Sequence, residues 1–254
     1  MVAVAWSPDG TVLAVGYAER VAVWAWPAGK LLRDLAVPCS ALAASGAVVA
    51  VGSERGLALH YAQAERPAPA VSLPPCPVRA LAVAWDGSSV VAAAGGALWE
   101  VRSATGRARA LAEAVGPVTA LAALPEGLGV AVATSDGLAW GQPGAGWSRE
   151  ARAGVGKLRA VPGRARREGA LYACGVDGSW RLVGGGWQPV GGPAADVVAL
   201  EDGRIWWVSL ARSLPALDLV DVGDVAVAGA RVAVAVGSRV VVVDAATGER
   251  RTVG

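Results

Sequence analysis

A six-residue stretch recurs at a nearly fixed interval: Pro38-Cys39-Ser40-Ala41-Leu42-Ala43, Pro77-Val78-Arg79-Ala80-Leu81-Ala82 and Pro117-Val118-Thr119-Ala120-Leu121-Ala122, at offsets of 39 and 40. Weaker versions begin at Gly156 and Pro193. A period near 40 commits a chain to one supersecondary unit used repeatedly, each copy burying an apolar face against the next. Units on that period fall at 1–37, 38–75, 76–115, 116–154, 155–192, 193–223 and 224–254, which makes seven.

The first unit shows what is repeated. From Val2 to Leu32, two apolar runs alternate at period two on either side of Ser7-Pro8-Asp9-Gly10. A third follows Glu19-Arg20 and a fourth starts after Pro27-Ala28-Gly29-Lys30, the pattern of four antiparallel strands joined by tight turns. No apolar stripe of helical period is sustained, and Gly or Pro about every ten residues would interrupt one. A four-stranded sheet with two apolar faces cannot bury both alone, whereas sheets set face to face in a ring can. The expected fold is therefore all-β, a single β-propeller domain over 1–254 built of four-stranded blades. Seven blades are expected, with six as the alternative, because the unit at 193–223 has only 31 residues and carries Pro215 where a strand would have to run.

Trp6-Ser7-Pro8-Asp9-Gly10, Val21-Ala22-Val23-Trp24 and Ala28-Gly29-Lys30 resemble the WD40 family of repeats. The likeness is to a degenerate form: Trp24 is followed by Ala25, Trp99 by Glu100 and Trp140 by Gly141, and no Gly-His pair precedes a first strand. What the resemblance implies is a rigid scaffold for protein–protein interaction, a subunit or adaptor of a larger complex, without chemistry of its own. In the third strand, Trp24, His60, Trp99, Trp140, Trp180 and Val243 are expected to fill equivalent structural slots.

Composition narrows the function classes further. Hydrophobic residues make up 54% of the chain, but in short runs, and none reaches the 18 or more uncharged apolar residues of a membrane helix. Met1 leads into Val2-Ala3-Val4 with no basic region ahead of an apolar one, so a cytoplasmic location is expected. The chain has 21 Arg but two Lys, no Asn and no Phe, the mark of a high-GC genome or a thermophilic prokaryote. His60 is the only histidine, and Cys39, Cys76 and Cys174 form no Cys-x-x-Cys pair, so neither a metal site nor a cofactor is expected. Asp9, Asp86, Glu126 and Asp202 recur at first turns, where an acid next to Gly suits the backbone, and they are read as turn residues. The chain is accordingly expected not to be an enzyme.

One segment stands apart electrostatically. Residues 149–168 hold six Arg and Lys157 against Glu150 and Glu168, a net +5 in a chain whose total is +2. Arg152, Lys157, Arg159, Arg164, Arg166 and Arg167 are the candidate partner-binding residues, since the guanidinium is a bidentate donor to carboxylate or phosphate. The expected partner is an acidic protein surface, with RNA or a ribonucleoprotein as the alternative and no membrane or small-molecule substrate.

Overall fold

A computed structural model describes residues 3–64, 67–84, 86–112, 117–124, 129–142, 146–152, 154–161, 170–200 and 204–253, the side chains at 112, 142, 161 and 199 excepted. The chain forms two compact units, Met1–Val118 and Thr119–Gly254.

The first unit opens with the meander the sequence spells out: β1 (Ala3–Trp6), β2 (Val12–Gly16), β3 (Val21–Ala25) and β4 (Lys30–Leu35), hydrogen-bonded in that order. The sheet of β5 (Ala41–Ala44), β6 (Val48–Ser53) and β7 (Gly56–Tyr61) has three strands, and that of β8 (Val78–Val83), β9 (Ser89–Ala94), β10 (Ala97–Arg102) and β11 (Ala108–Ala112) has four. In the second unit, β12 (Val118–Ala123), β13 (Val130–Thr134), β14 (Gly137–Gln142) and β15 (Gly146–Glu150) form one four-stranded sheet. A second is made by β16 (Val155–Val161), β17 (Ala170–Gly175), β18 (Gly178–Val183) and β19 (Gly186–Gly191). Then come a two-stranded sheet, β20 (Asp196–Ala199) with β21 (Ile205–Val208), and a final four-stranded one, β22 (Val222–Ala228), β23 (Arg231–Val236), β24 (Arg239–Asp244) and β25 (Arg250–Val253). This is the all-β propeller class expected from the repeat. The count of seven four-stranded blades is corrected: the pair β20–β21 stops at two strands, which leaves six blades, five of them four-stranded among the described residues.

The repeated stretch has a physical reason. In the first two copies its second residue, at or just before the first strand of a sheet, packs on a glycine at the end of the second strand of the sheet before it. A Cβ on Gly52 would lie 2.8 Å from Val78 Cγ1, and one on Gly16 would lie 2.6 Å from Cys39 Sγ, so only glycine leaves room. The third residue ties blades together: Ser40 Oγ donates to Val78 O at 3.0 Å, and Thr119 Oγ1 donates to Val155 O at 2.8 Å. Buried main-chain carbonyls at the blade seam are thereby satisfied.

The first turns confirm the acids there as backbone locks. Asp9 Oδ1 accepts from Thr11 N at 3.1 Å and Thr11 Oγ1 at 2.9 Å, and Asp86 Oδ1 accepts from Ser88 N at 2.9 Å and Ser88 Oγ at 2.7 Å. Both carboxyls are held below the usual carboxylate value. Partial burial acts against ionisation of Asp9, but the hydrogen bonds from Ser7 and Thr11 together outweigh it, and at Asp86 the backbone bond from Ser88 leads. Glu126 and Asp202 lie outside the described residues.

The third-strand aromatics are packing groups, Trp180 buried and the others half-buried, but they do not share one slot. Trp24, His60, Trp140 and Val243 stand opposite the second residue of their neighbouring strand, at Leu13, Val49, Ala131 and Val232. Trp99 and Trp180 sit two residues away, opposite Ala92 and Ala173. Trp99 packs against the core shared with β6 and β7, whereas Trp140 joins the core shared with β16 and β17 and meets Trp187 edge-on at 5.9 Å.

Candidate functional site

In the repeat, the first strands are built of small apolar residues: β8 carries Ala80 and Ala82 on successive positions of one face. The strand β16 follows the same course, with a bulge after its first residue, Val155, matching the bulge after Val78 in β8. Its residues at the corresponding places are Lys157 and Arg159. Two long cations thus enter a position the fold normally fills with methyl groups, and each must find a counter-charge there.

Both do. Arg159 grips Asp196 in a two-point contact, Nε to Oδ1 at 2.9 Å and Nη2 to Oδ2 at 2.7 Å, and Nη2 also reaches Asp224 Oδ1 at 2.8 Å and the carbonyl of Val225. Lys157 Nζ donates to Asp224 Oδ1 at 2.7 Å and lies 3.8 Å from Asp196 Oδ2. Asp196 Oδ1 further accepts from the Val197 amide at 2.8 Å. The side chains of Asp196 and Asp224 are 5% and 13% exposed. Burial alone would lower the Arg159 pKa, but the carboxylates of Asp196 and Asp224 overrule it and raise the value above that of free arginine. Two cations and two anions make the quartet neutral, and it joins the first strands of three consecutive sheets, β16, β20 and β22.

The remaining candidates divide. Arg152, just past β15, pairs with Glu150, Nε to Oε1 at 2.9 Å, and its guanidinium carbon stands 4.6 Å from the centroid of the buried Trp180 ring. That is a partly exposed group resting on an aromatic face. Arg164, Arg166 and Arg167 lie outside the described residues. Among the described residues the structure therefore divides these candidates into an inward pair, Lys157 and Arg159, and a partly exposed Arg152. Asp196 and Asp224 were not singled out in the sequence. Their signal was an acid in a first strand otherwise made of Ala, Val and Gly.

Cys174, buried on β17 next to Lys157 in the strand register, has its thiol pushed up to about 12, first by burial and then by the charge of Asp196. Cys39, Cys76 and Cys174 form no disulfide among the described residues. His60 Nε2 is buried without a hydrogen-bond partner, and burial followed by the charge of Arg33 lowers its pKa. Among the described residues there is no group of three His, Cys, Asp or Glu side chains arranged to hold a metal ion. In the first unit, a cavity of about 420 Å³ lies beside the β9–β10 turn, lined by Ala93, Ala94 and Gly95 among others. Its one charged lining residue, Arg79, is paired with Glu54 at 2.9 Å. No helix of the described residues is long and apolar enough to cross a membrane. No model of a known protein family matches the chain, and no curated protein matches it.

Proposed function

We propose that this chain is a non-enzymatic scaffold that binds another protein through its blade surfaces, as the resemblance to WD40 repeats implies. The observation that carries the reading is where the titratable groups go. Asp9 and Asp86 hold turns, and Lys157 and Arg159 are neutralised by Asp196 and Asp224. Such groups give rigidity, and a rigid support with variable surface loops is what an interaction platform needs. A reducing, cytoplasmic setting belongs to the proposal, supported by three cysteines that form no disulfide among the described residues. The reading that RNA is the partner has less support than the charge of 149–168 suggested, since Lys157 and Arg159 are occupied by carboxylates of the same chain. Of the basic segment, the candidates left to a partner are Arg152 and, outside the described residues, Arg164, Arg166 and Arg167. The test is affinity capture from the native lysate, with and without nuclease, by the natural chain and by a variant with Arg164, Arg166 and Arg167 changed to Ser. Nuclease-resistant recovery of a defined protein is the expected result, and recovery that vanishes with nuclease would replace the protein partner by RNA. Recovery unchanged in the Ser variant would remove that segment from the interface.

A further inference from the structure

The two-stranded sheet leaves a backbone edge that the other sheets cover. Leu200 N donates to Arg204 O at 2.9 Å and Ala195 N to Val208 O at 2.8 Å, so Arg204 and Val208 turn their backbone groups toward β20. By the alternation of an antiparallel ladder, Trp206 does the same, and Ile205 and Trp207 turn theirs to the opposite side. In four-stranded sheets that side is taken by a third strand. Here a third strand begins and is stopped. Ser209 N donates to Ser213 O at 2.9 Å and the two hydroxyls meet at 2.7 Å, which places the returning chain beside the end of β21. Pro215, the residue that would next stand opposite Trp207, has no N–H to give, and the chain turns off through a short 3-10 turn at Pro215–Leu217. Leu214 and Leu217 drop into the core against β22 and β23, and Arg250 Nη2 holds the turn by donating to Leu217 O at 2.9 Å. The edge at Ile205 and Trp207 is left without a neighbouring strand among the described residues.

The wall beside this edge is basic and partly apolar. Arg181 of β18 stands opposite Tyr172, which packs with Ile205 and Trp207, so Arg181 and Val183 lie on the face turned to β21. Arg181 rests 5.9 Å from the Tyr172 ring centroid, and Arg212, past the far end of β21, makes only a 3.4 Å contact to the Gly223 carbonyl. Neither has a carboxylate partner among the described residues. Of the acids nearby, Asp221 turns its Oδ2 to within 3.4 Å of where a Cβ on Gly237 would stand, and Asp218 closes the 3-10 turn with its backbone N–H. Val183 is 42% exposed on the same wall.

We propose that β21 is a docking edge, to which an extended acidic segment of a partner protein adds as a further strand, its backbone on Ile205 and Trp207 and its carboxylates on Arg181 and Arg212. Unsatisfied, alternating N–H and C=O groups select an extended chain, and the side-chain pockets along it select the sequence. Two unpaired guanidinium groups select carboxylates among extended chains. The proposal rests on the scaffold reading and names the surface and chemistry of its partner.

The test uses the whole chain and a labelled, end-capped eight-residue peptide alternating valine with glutamate, followed by fluorescence anisotropy. Its lysine counterpart, and a version with alternate amides N-methylated so that one edge cannot pair, are expected to bind at least about tenfold more weakly, as loss of a charge-assisted or backbone hydrogen bond predicts. Arg181→Glu, a surface change, is expected to weaken the glutamate peptide by a similar factor and to strengthen the lysine peptide. Ile205→Pro removes an outward N–H without touching the ladder to β20, and should weaken both. Absence of binding, or binding indifferent to N-methylation or to Arg181→Glu, would overturn the proposal. Self-association in sedimentation that Ile205→Pro abolishes would assign the edge to a second copy and overturn it too. In lysate capture, a partner recovered equally by Arg181→Glu and Ile205→Pro overturns the edge and leaves the scaffold reading standing, whereas no partner with any variant overturns the scaffold reading itself.

Discussion

The strands β8 and β16 occupy the same place in the repeat and share a bulge, yet one buries Ala80 and Ala82 and the other carries Lys157 and Arg159 with their carboxylates. The first solution is held by apolar contact and is indifferent to charge. The second has no tolerance for losing a member, because each charge was taken out of water only in the company of the others. The comparison separates two ways of joining blades: packing, which any well-shaped side chain can supply, and mutual neutralisation, which needs its matched partner in the neighbouring sheets.

The sharpest way to break the comparison is Asp196→Ala. It removes the two-point partner of Arg159 and strands a nearly buried guanidinium, at an expected cost of about 3–5 kcal/mol, read from chemical denaturation. The matching experiment converts the quartet toward the β8 solution with Lys157→Ala, Arg159→Met, Asp196→Leu and Asp224→Val together. Replacing a whole buried ionic group by apolar residues is often neutral or stabilising, so this quadruple variant should be at least as stable as the natural chain. A quadruple variant as unstable as Asp196→Ala would show that the charges specify the blade order in a way that apolar packing does not.

A second test probes packing where charge plays no part. Trp140→Ala removes a half-buried ring from the core shared by β12–β19 and should cost about 3 kcal/mol. Gly52→Ala is expected to cost about 1–3 kcal/mol, because its Cβ would stand 2.8 Å from Val78 Cγ1 and the seam between β6 and β8 must open. Both are read as shifts in thermal midpoint, and a neutral Gly52→Ala would mean that the seam yields.

The architecture was legible because its cause is local: strand alternation, turn residues and a 40-residue period all lie within a short window of sequence. The truncation of the sheet β20–β21 was half legible, in the short span of 193–223 and in Pro215. The quartet was not legible. Lys157 and Arg159 fall among other basic residues, and read along the chain they look like a solvated charged run. The partners of Arg159 lie 37 and 65 residues away and that of Lys157 lies 67 away, brought close only by blade stacking. Side-chain face was equally hidden for the tryptophans, since Trp99 and Trp140 hold similar positions in their units and pack toward different neighbours.

The smallest expected effect concerns the opposite case, a buried polar group that has not been compensated. Where Arg159 has four acceptor contacts, His60 Nε2 has none, and burial together with Arg33 holds its pKa below the free value of 6.5. The unfolded chain takes up a proton near pH 6.5, while the folded chain resists until the pH is lower. Above 6.5 both states are neutral at this site and stability does not depend on it. As pH falls below 6.5 the unfolded state binds more protons than the folded one, so stability declines until the folded imidazole also charges. The decline belongs to a window above that of Asp9 and Asp86, whose contributions are complete above about 3.8 and fade only as pH falls through their lowered values. His60→Gln should therefore flatten the stability profile between pH 7 and 5 and leave the steeper acid limb below pH 4 in place. Thermal midpoints of the two proteins measured at half-unit steps check this, and parallel curves between pH 7 and 5 would show that His60 finds a partner when it is charged.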